Sequence, residues 1–305
     1  MNNRSSSMDL KSFLMLLMLA AVWGGSFFFA EVALQELPPL TITFHRVLWA
    51  IPILWVIVWA KGIKAPRSLR VWGAYLVMGA LNNAIPFSLI FWGQTQIDSG
   101  LASILNATTA MITAVVAGLL LADEPLTPQK LLGAALGLAG VAFIMGPEAV
   151  TSFDPGNLAQ LAILGAAVSY AFAGVWGKTK LSDQPPLMNA LGMLIGTTIL
   201  MIPVVLLIDG VPSMDLSASV WGALLGVAVL STALGYVLYF AILAQAGAAN
   251  LLLVTLLIPP FAIGLGVLLL GEQMMAKAWI GFGIIALGFA VTDGRLWGMI
   301  RKQSV

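Results

Sequence analysis

Leu121-Ala122-Asp123-Glu124-Pro125-Leu126-Thr127, followed by Gly133 and Gly140, closes one long apolar stretch, and Leu270-Gly271-Glu272, followed by Gly281 and Gly288, closes another. Glu124 and Glu272 are 148 residues apart, and so are the two pairs of glycines. The register holds outward from these marks. Trp72 and Trp221, each ahead of its apolar run, are 149 apart, and Pro38-Pro39-Leu40 returns as Pro185-Pro186-Leu187 after 147. A nearly constant offset over most of a chain marks a duplicated structural unit.

Composition names the solvent of that unit. Hydrophobic residues make up 60% of the 305 and charged residues 9%, with a mean hydropathy of +0.99. A water-soluble domain carries about 25% charged residues, so this chain lacks the polar groups to cover itself in water. In lipid, backbone groups must bond within the segment, which favours helices. Transmembrane strands would alternate in polarity over stretches of about ten residues, whereas these apolar runs are unbroken. The expected fold is an all-α polytopic membrane protein.

Spans of roughly 17–25 residues fit a bilayer. Ten are expected, near 11–34, 40–60, 71–94, 98–121, 130–146, 157–178, 186–208, 218–242, 247–270 and 276–294. Prolines at 38, 39, 66, 125, 128, 147, 155, 185, 186 and 212 fall at their ends, where a missing N–H costs least. The stretch Leu10–Leu34 is longer than the apolar core of a signal peptide and lacks a small-residue cleavage site, so it is taken as the first span.

Positive charge supports the count. With the N-terminus inside, Arg4, Lys11, Lys61, Lys64, Arg67, Arg70, Lys130, Lys178, Lys180, Arg295, Arg301 and Lys302 lie on inner segments. Of the 14 Lys and Arg, that leaves Lys277 outside and Arg46 within a span. Such a bias predicts ten spans with both termini cytoplasmic. The acidic Glu148, Asp154, Asp209 and Asp215 fall on outer loops. Five spans per half is odd, so the second half is expected to enter inverted. Transporters are commonly built this way, and the geometry suits alternating access. The halves divide as 1–148 and 149–305.

Several motifs resemble the EamA-type branch of the drug/metabolite transporter superfamily. Trp23-Gly24-Gly25-Ser26-Phe27 is similar to its W-G-x-x-F opening, and Phe44-His45-Arg46 with the apolar residues after it to its R-F-x-x-A segment. The two closing stretches quoted first, with Gln129 in one and Pro259 ahead of the other, are similar to its G-E-x-x-T…Q…G…G pattern. Two positions depart: Ala122-Asp123 replaces the usual glycine, and Met193 stands where the repeat would place an arginine. Within the superfamily the chain looks most like the YddG-like bacterial exporters of aromatic amino acids. The resemblance implies a ten-helix basket in the bacterial inner membrane, with a cavity between helices 1, 3, 4, 6, 8 and 9 and with helices 5 and 10 as outer supports. It implies a small-molecule substrate, lipid neighbours, protons as a candidate coupling ion, and function as a monomer.

Three groups of candidate site residues follow. Glu31, His45 and Arg46 lie about two turns to either side of Pro38-Pro39. They are candidates for a carboxylate anchor or a coupling group, or alternatively for a structural Glu31–Arg46 pair or side chains reaching the interface. Asn82, Asn83, Asn106 and Thr109 fall mid-span, and their repeat partners Ser231, Thr232 and Thr255 are polar too. Polar residues matched in both halves suit a midplane site; the alternative is bonding between helices. Trp23, Phe27, Phe87, Tyr170 and Tyr236 offer faces for an apolar or aromatic group, while Trp92 and Trp176 fit the interfacial belt. Pro86 and Pro259-Pro260 sit inside spans as candidate hinges. Glu124 and Glu272 are expected to cap helices 5 and 10, the glycines to serve close packing, and Gln94 and Gln245 carry no signal.

The same inventory argues against other classes. Without cysteine, and with one histidine, there is little for a metal site, a triad or a redox centre, and no Walker loop stands in the chain. No enzymatic activity, cofactor or metal is expected, and no basic run suits nucleic acid. Two other transport readings stand beside amino-acid export. Efflux of organic cations would call for a carboxylate deep in the cavity, and a sugar-nucleotide carrier would call for more cations than Arg46.

Overall fold

The computed structural model describes residues 9–145 and 155–293. Arg4, Pro147, Glu148, Asp154, Arg295, Arg301, Lys302, the boundary between 148 and 149 and both termini lie outside the described residues. Within them the chain is helical, with no strand.

The helices are α1 (Leu10–Ala33), α2 (Pro39–Ala60), α3 (Leu69–Gln94), α4 (Ser99–Leu120), α5 (Pro128–Met145), α6 (Pro155–Lys180), α7 (Pro186–Ile208), α8 (Ala218–Gly247), α9 (Val254–Leu270) and α10 (Ala276–Asp293). The first eight contain stretches long and apolar enough to cross a bilayer; α9 and α10 are shorter apolar helices. Their ends agree with the sequence reading to within a few residues, except at the start of the ninth element. There the chain stays helical past the expected end of α8, and bends at Gly247 (φ 79°, ψ 168°), a backbone conformation that glycine adopts without penalty.

Local chemistry sets the helix starts. Asp9 accepts the Ser12 N–H at 2.9 Å and caps α1. Pro39 and Pro186 open α2 and α7 from the first turn, where no N–H is needed. Thr127 accepts the Lys130 N–H at 3.3 Å at the start of α5.

The most extensive contact is α5 on α10, with α2 on α7, α1 on α9 and α4 on α6 also in close contact. Glycines decide the first of these. A Cβ at Gly288 would lie 2.6 Å from the Gly133 carbonyl oxygen, and one at Gly140 would lie 2.8 Å from that of Gly281. The backbones therefore touch at two crossed points, each joining a glycine of one closing motif to the non-equivalent glycine of the other.

α3 and α8 each contain a wide π-helical turn, Ala80–Ala84 and Gly226–Leu234. Pro86 has no N–H to offer the carbonyl four residues back, which frees the ladder at Asn82. In α8 the Thr232 hydroxyl donates to the Val227 carbonyl at 2.8 Å, taking up a backbone acceptor in the widened turn. α4 breaks at residues 107–108, where the Thr108 and Thr109 hydroxyls donate to the carbonyls of Leu105 and Asn106.

Candidate functional site

A cavity of about 560 Å³ runs between the helices at the level of the two π-helical turns. Trp23, Phe27, Asn82, Phe87, Asn106, Thr109, Tyr170, Ser231, Tyr236 and Thr255, all candidates from the sequence, line it together with Arg46. Its wall includes α1, α3, α4, α6, α8 and α9, and α5 and α10 stand away from it. α2 and α7 also contribute, through Arg46 and through Asn189, Ala190 and Met193, which corrects the expected six-helix wall.

The π-helical turn of α3 joins α8 in one polar network, through Tyr236, just beyond the widened turn of that helix. Tyr236 donates to Asn83 Oδ1 at 2.9 Å and accepts from Asn82 Nδ2 at 3.1 Å. Asn83 is not a wall residue: it is fully buried, and its Nδ2 donates to Thr197 Oγ1 at 3.0 Å. Of the paired asparagines, Asn82 faces the cavity and Asn83 binds α3 to α7. Trp23 Nε1 donates to the Ser231 carbonyl at 3.0 Å, and the Ser231 hydroxyl donates back to the Val22 carbonyl, joining α1 to α8. Trp23 also packs on Tyr239, with ring centroids 5.8 Å apart.

Glu31, His45 and Arg46 do not form one cluster. Glu31 Oε2 accepts from Gln94 Nε2 at 3.1 Å, on α3. His45 is buried away from the cavity; its Nδ1 accepts from Trp49 Nε1 at 3.0 Å, and Trp221 packs edge-on against its ring. Arg46 donates from Nε to Thr232 Oγ1 at 3.0 Å, and its guanidinium lies 3.6 Å from the Phe87 ring centroid. Each of the three has found its partner on a different element. Among the described residues Glu31 and Arg46 make no ion pair.

The carboxylates of the closing motifs also depart from expectation. Glu272 turns to α4, where it accepts the N–H groups of Ser99 at 3.0 Å and Gly100 at 3.1 Å. Its repeat mate Glu124 and the adjacent Asp123 both pair with Lys178 at 2.7 Å. That hydrogen bond from Lys178 holds the Asp123 carboxyl below the usual aspartate range. At the Glu272 end, burial raises Asp98, and the nearby Glu272 charge adds to the rise. At that same end Asp209 accepts the N–H and hydroxyl of Thr41 at 3.0 and 2.8 Å, and Glu36 accepts the Ser217 N–H at 2.9 Å. Three carboxylates thus hold the starts of α2, α4 and α8 from neighbouring segments. The cavity reaches the opposite end, where Lys178, Leu181, Ser182 and Gln184 border it.

Sequence reasoning missed Gln94, which is buried, lines the cavity and donates to the Phe27 carbonyl at 2.9 Å as well as to Glu31. An amide at a span end carries no pattern of its own. It missed Lys178 as a mouth residue because a lysine in a segment between spans is the commonest feature of such a sequence. Trp176, assigned to the interface, donates to the Ala74 carbonyl at 3.0 Å inside the bundle. Pro259 is buried and Pro260 exposed, both within the helical run of α9. Among the described residues no group of three His, Asp or Glu converges to hold a metal ion. The cavity can bind and enclose a solute with an apolar body and a few polar groups.

The sequence profile of the EamA-like transporter family matches residues 10–146 and again 157–292. The chain belongs to that family. This transporter is 25% identical to the uncharacterized transporter YoaV of Bacillus subtilis, over 91% of its own length and 95% of that protein. It is 29% identical to the uncharacterized transporter YvbV of the same organism, over 92% and 90%. It is 25% identical to a probable amino-acid metabolite efflux pump of Escherichia coli, over 93% and 95%. A solved crystal structure 18% identical to the transporter superposes with a TM-score of 0.66, covering 92% of this chain and 96% of that one, and so shares its fold.

Proposed function

We propose that this transporter exports amino acids or related small metabolites across the bacterial inner membrane by alternating access, as YddG-like members of the superfamily do. In this reading all ten helices span the bilayer as two inverted five-helix halves, 1–148 and 149–305, with both termini in the cytoplasm. The profile match to each half, and the reciprocal pairing of α5 with α10 and α2 with α7, support that arrangement. The open end at Lys178 is then cytoplasmic, and the end held by Glu272 is external.

The observation that carries the substrate class is the wall itself. Trp23, Phe27, Phe87, Tyr170 and Tyr236 surround amide and hydroxyl groups of Asn82, Asn106, Thr109, Ser231 and Thr255, and among the described residues no Asp or Glu lines the cavity. Aromatics take an apolar side chain and the polar groups its backbone. Efflux of organic cations lacks the carboxylate it would need. The similarity to the probable amino-acid metabolite efflux pump points the same way. Glu31, through Gln94, is the candidate for proton coupling, and Pro86 and Pro259-Pro260 are the candidate hinges. Purified protein in liposomes, given labelled amino acids and organic cations with and without a pH gradient, tests the reading. Flux of amino acids supports it; flux of cations alone overturns it.

A further inference from the structure

We propose that Arg46 is the receptor for an anionic group on the transported solute, an organic carboxylate; this deepens the transport reading of the cavity and rests on it. Arg46 is 7% exposed, and what exposure it has is on the cavity wall. Guanidinium carries five N–H donors in a planar fork, of which one, at Nε, is used, on Thr232. Neither Nη is among the buried polar atoms left without a partner, so the open edge of the fork borders the cavity space.

A charge buried in a membrane protein normally has a countercharge. Here the ion pairs among the described residues both belong to Lys178, at the mouth. Glu31, the nearest candidate by sequence, is bonded to Gln94 instead. What Arg46 has is a neutral hydroxyl and the faces of Phe87 and Phe91, whose ring centroids lie 3.6 and 5.8 Å from its guanidinium carbon. Those contacts fix the plane of the fork and ease its burial without neutralising it. Tyr170 and Tyr236 also lie within electrostatic range.

The other half supplies the control for a structural explanation. Met193 occupies the position equivalent to Arg46, borders the same cavity, and touches Asn82 of the opposite π-helical turn as Arg46 touches Thr232. The fold therefore packs this place with an apolar side chain. The charge is therefore assigned to the cavity, since a well-packed hydrophobic residue often replaces a buried charge without loss. A carboxylate matches the fork in a bidentate arrangement, and the aromatic wall beyond it accepts the rest of the solute.

The test uses full-length protein in liposomes and in detergent, with phenylalanine and leucine, their carboxamides, and the amines lacking the carboxyl group. Arg46→Met copies the solution of the other half and retains the fold; Arg46→Lys keeps the charge but loses the fork. Wild type is expected to move the acids about a hundredfold faster than the amides and amines, and to be thermally stabilised by the acids alone. Arg46→Met should lose about a hundredfold on the acids and nothing on the amides, with Arg46→Lys between. Equal rates for acid and amide in wild type, or an equal fall for both in Arg46→Met, overturns the anchor and leaves the transporter reading standing. Thermal stabilisation by acids that depends on Arg46, without flux of any solute, upholds the anchor and overturns export; neither stabilisation nor flux overturns both.

Discussion

Replacing Glu272 with glutamine should loosen one end of the cavity. The carboxylate accepts two N–H groups from the first turn of α4, at 3.0 and 3.1 Å. A hydrogen bond to a charged acceptor is worth roughly 1.5–3 kcal/mol and a neutral one about 1 kcal/mol. Glutamine keeps one oxygen, so one bond becomes neutral and the other N–H loses its acceptor. Glu272 is half-buried, which favours the lower part of the range. Two charged bonds at the lower figure exchanged for one neutral bond give a net loss of about 2 kcal/mol, a factor of about 30 in the balance between closed and open at that end. The chain has no cysteine, so a single Ser103→Cys, on the cavity wall one turn beyond Ser99, reports access. Sealed vesicles of one orientation are treated with a membrane-impermeant maleimide from the α3–α4 side. Glu272→Gln should raise the labelling rate by about 30-fold in a variant that stays folded. An unchanged rate in a folded variant refutes the closing role of this cap.

Gly288→Ala should lower the thermal midpoint, by about 1–3 kcal/mol of overpacking, because its Cβ would press on the Gly133 carbonyl and the Gly137 nitrogen at 2.6 and 2.9 Å. Gly283→Ala, which meets nothing within 4 Å, should leave it level or slightly higher; equal behaviour of the two in detergent melts would contradict the packing argument. His45→Gln should lower stability, through loss of the Trp49 bond and the ring contacts, yet keep the pH profile of transport. A shifted profile would return His45 to the coupling machinery.

The helices were legible in the sequence because lipid leaves so few options. A segment that buries its backbone in hydrocarbon must be helical, and its ends are marked by prolines such as Pro38-Pro39 and Pro185-Pro186. The repeat was legible because backbone contact between α5 and α10 tolerates only glycine at Gly133, Gly140, Gly281 and Gly288. Partners across space were not legible. Glu272 was assigned to the helix it precedes, whereas the turn at Gly271, with φ of 71°, precedes a carboxylate directed at the start of α4. Sequence proximity ranked α10 first; three-dimensional proximity of an uncapped helix start decided otherwise.

The cavity shows the same division. Mid-span polar residues at matched offsets located the two facing turns, since a polar group in lipid must find a partner or a solute. They did not separate Asn82 from its neighbour Asn83, because adjacent residues on a helix point about 100° apart and the widened turn at Ala80–Ala84 alters even that. Nor did they show that Glu31, His45 and Arg46 would part company. Spacing about Pro38-Pro39 suggested one depth for them, but the choice of partner follows from which side chain lies nearest in space. Gln94 of α3 meets Glu31, Trp49 one turn along α2 meets His45, and Thr232 of α8 meets Arg46. Duplication then sharpens the reading of what remains. Some matched polar groups bond between elements, as Asn83 does with Thr197 of α7 and Thr232 with Arg46 of α2, and packing accounts for these. Where the halves differ, as Arg46 differs from Met193, the architecture they share does not account for the difference, and the solute becomes the simplest reason.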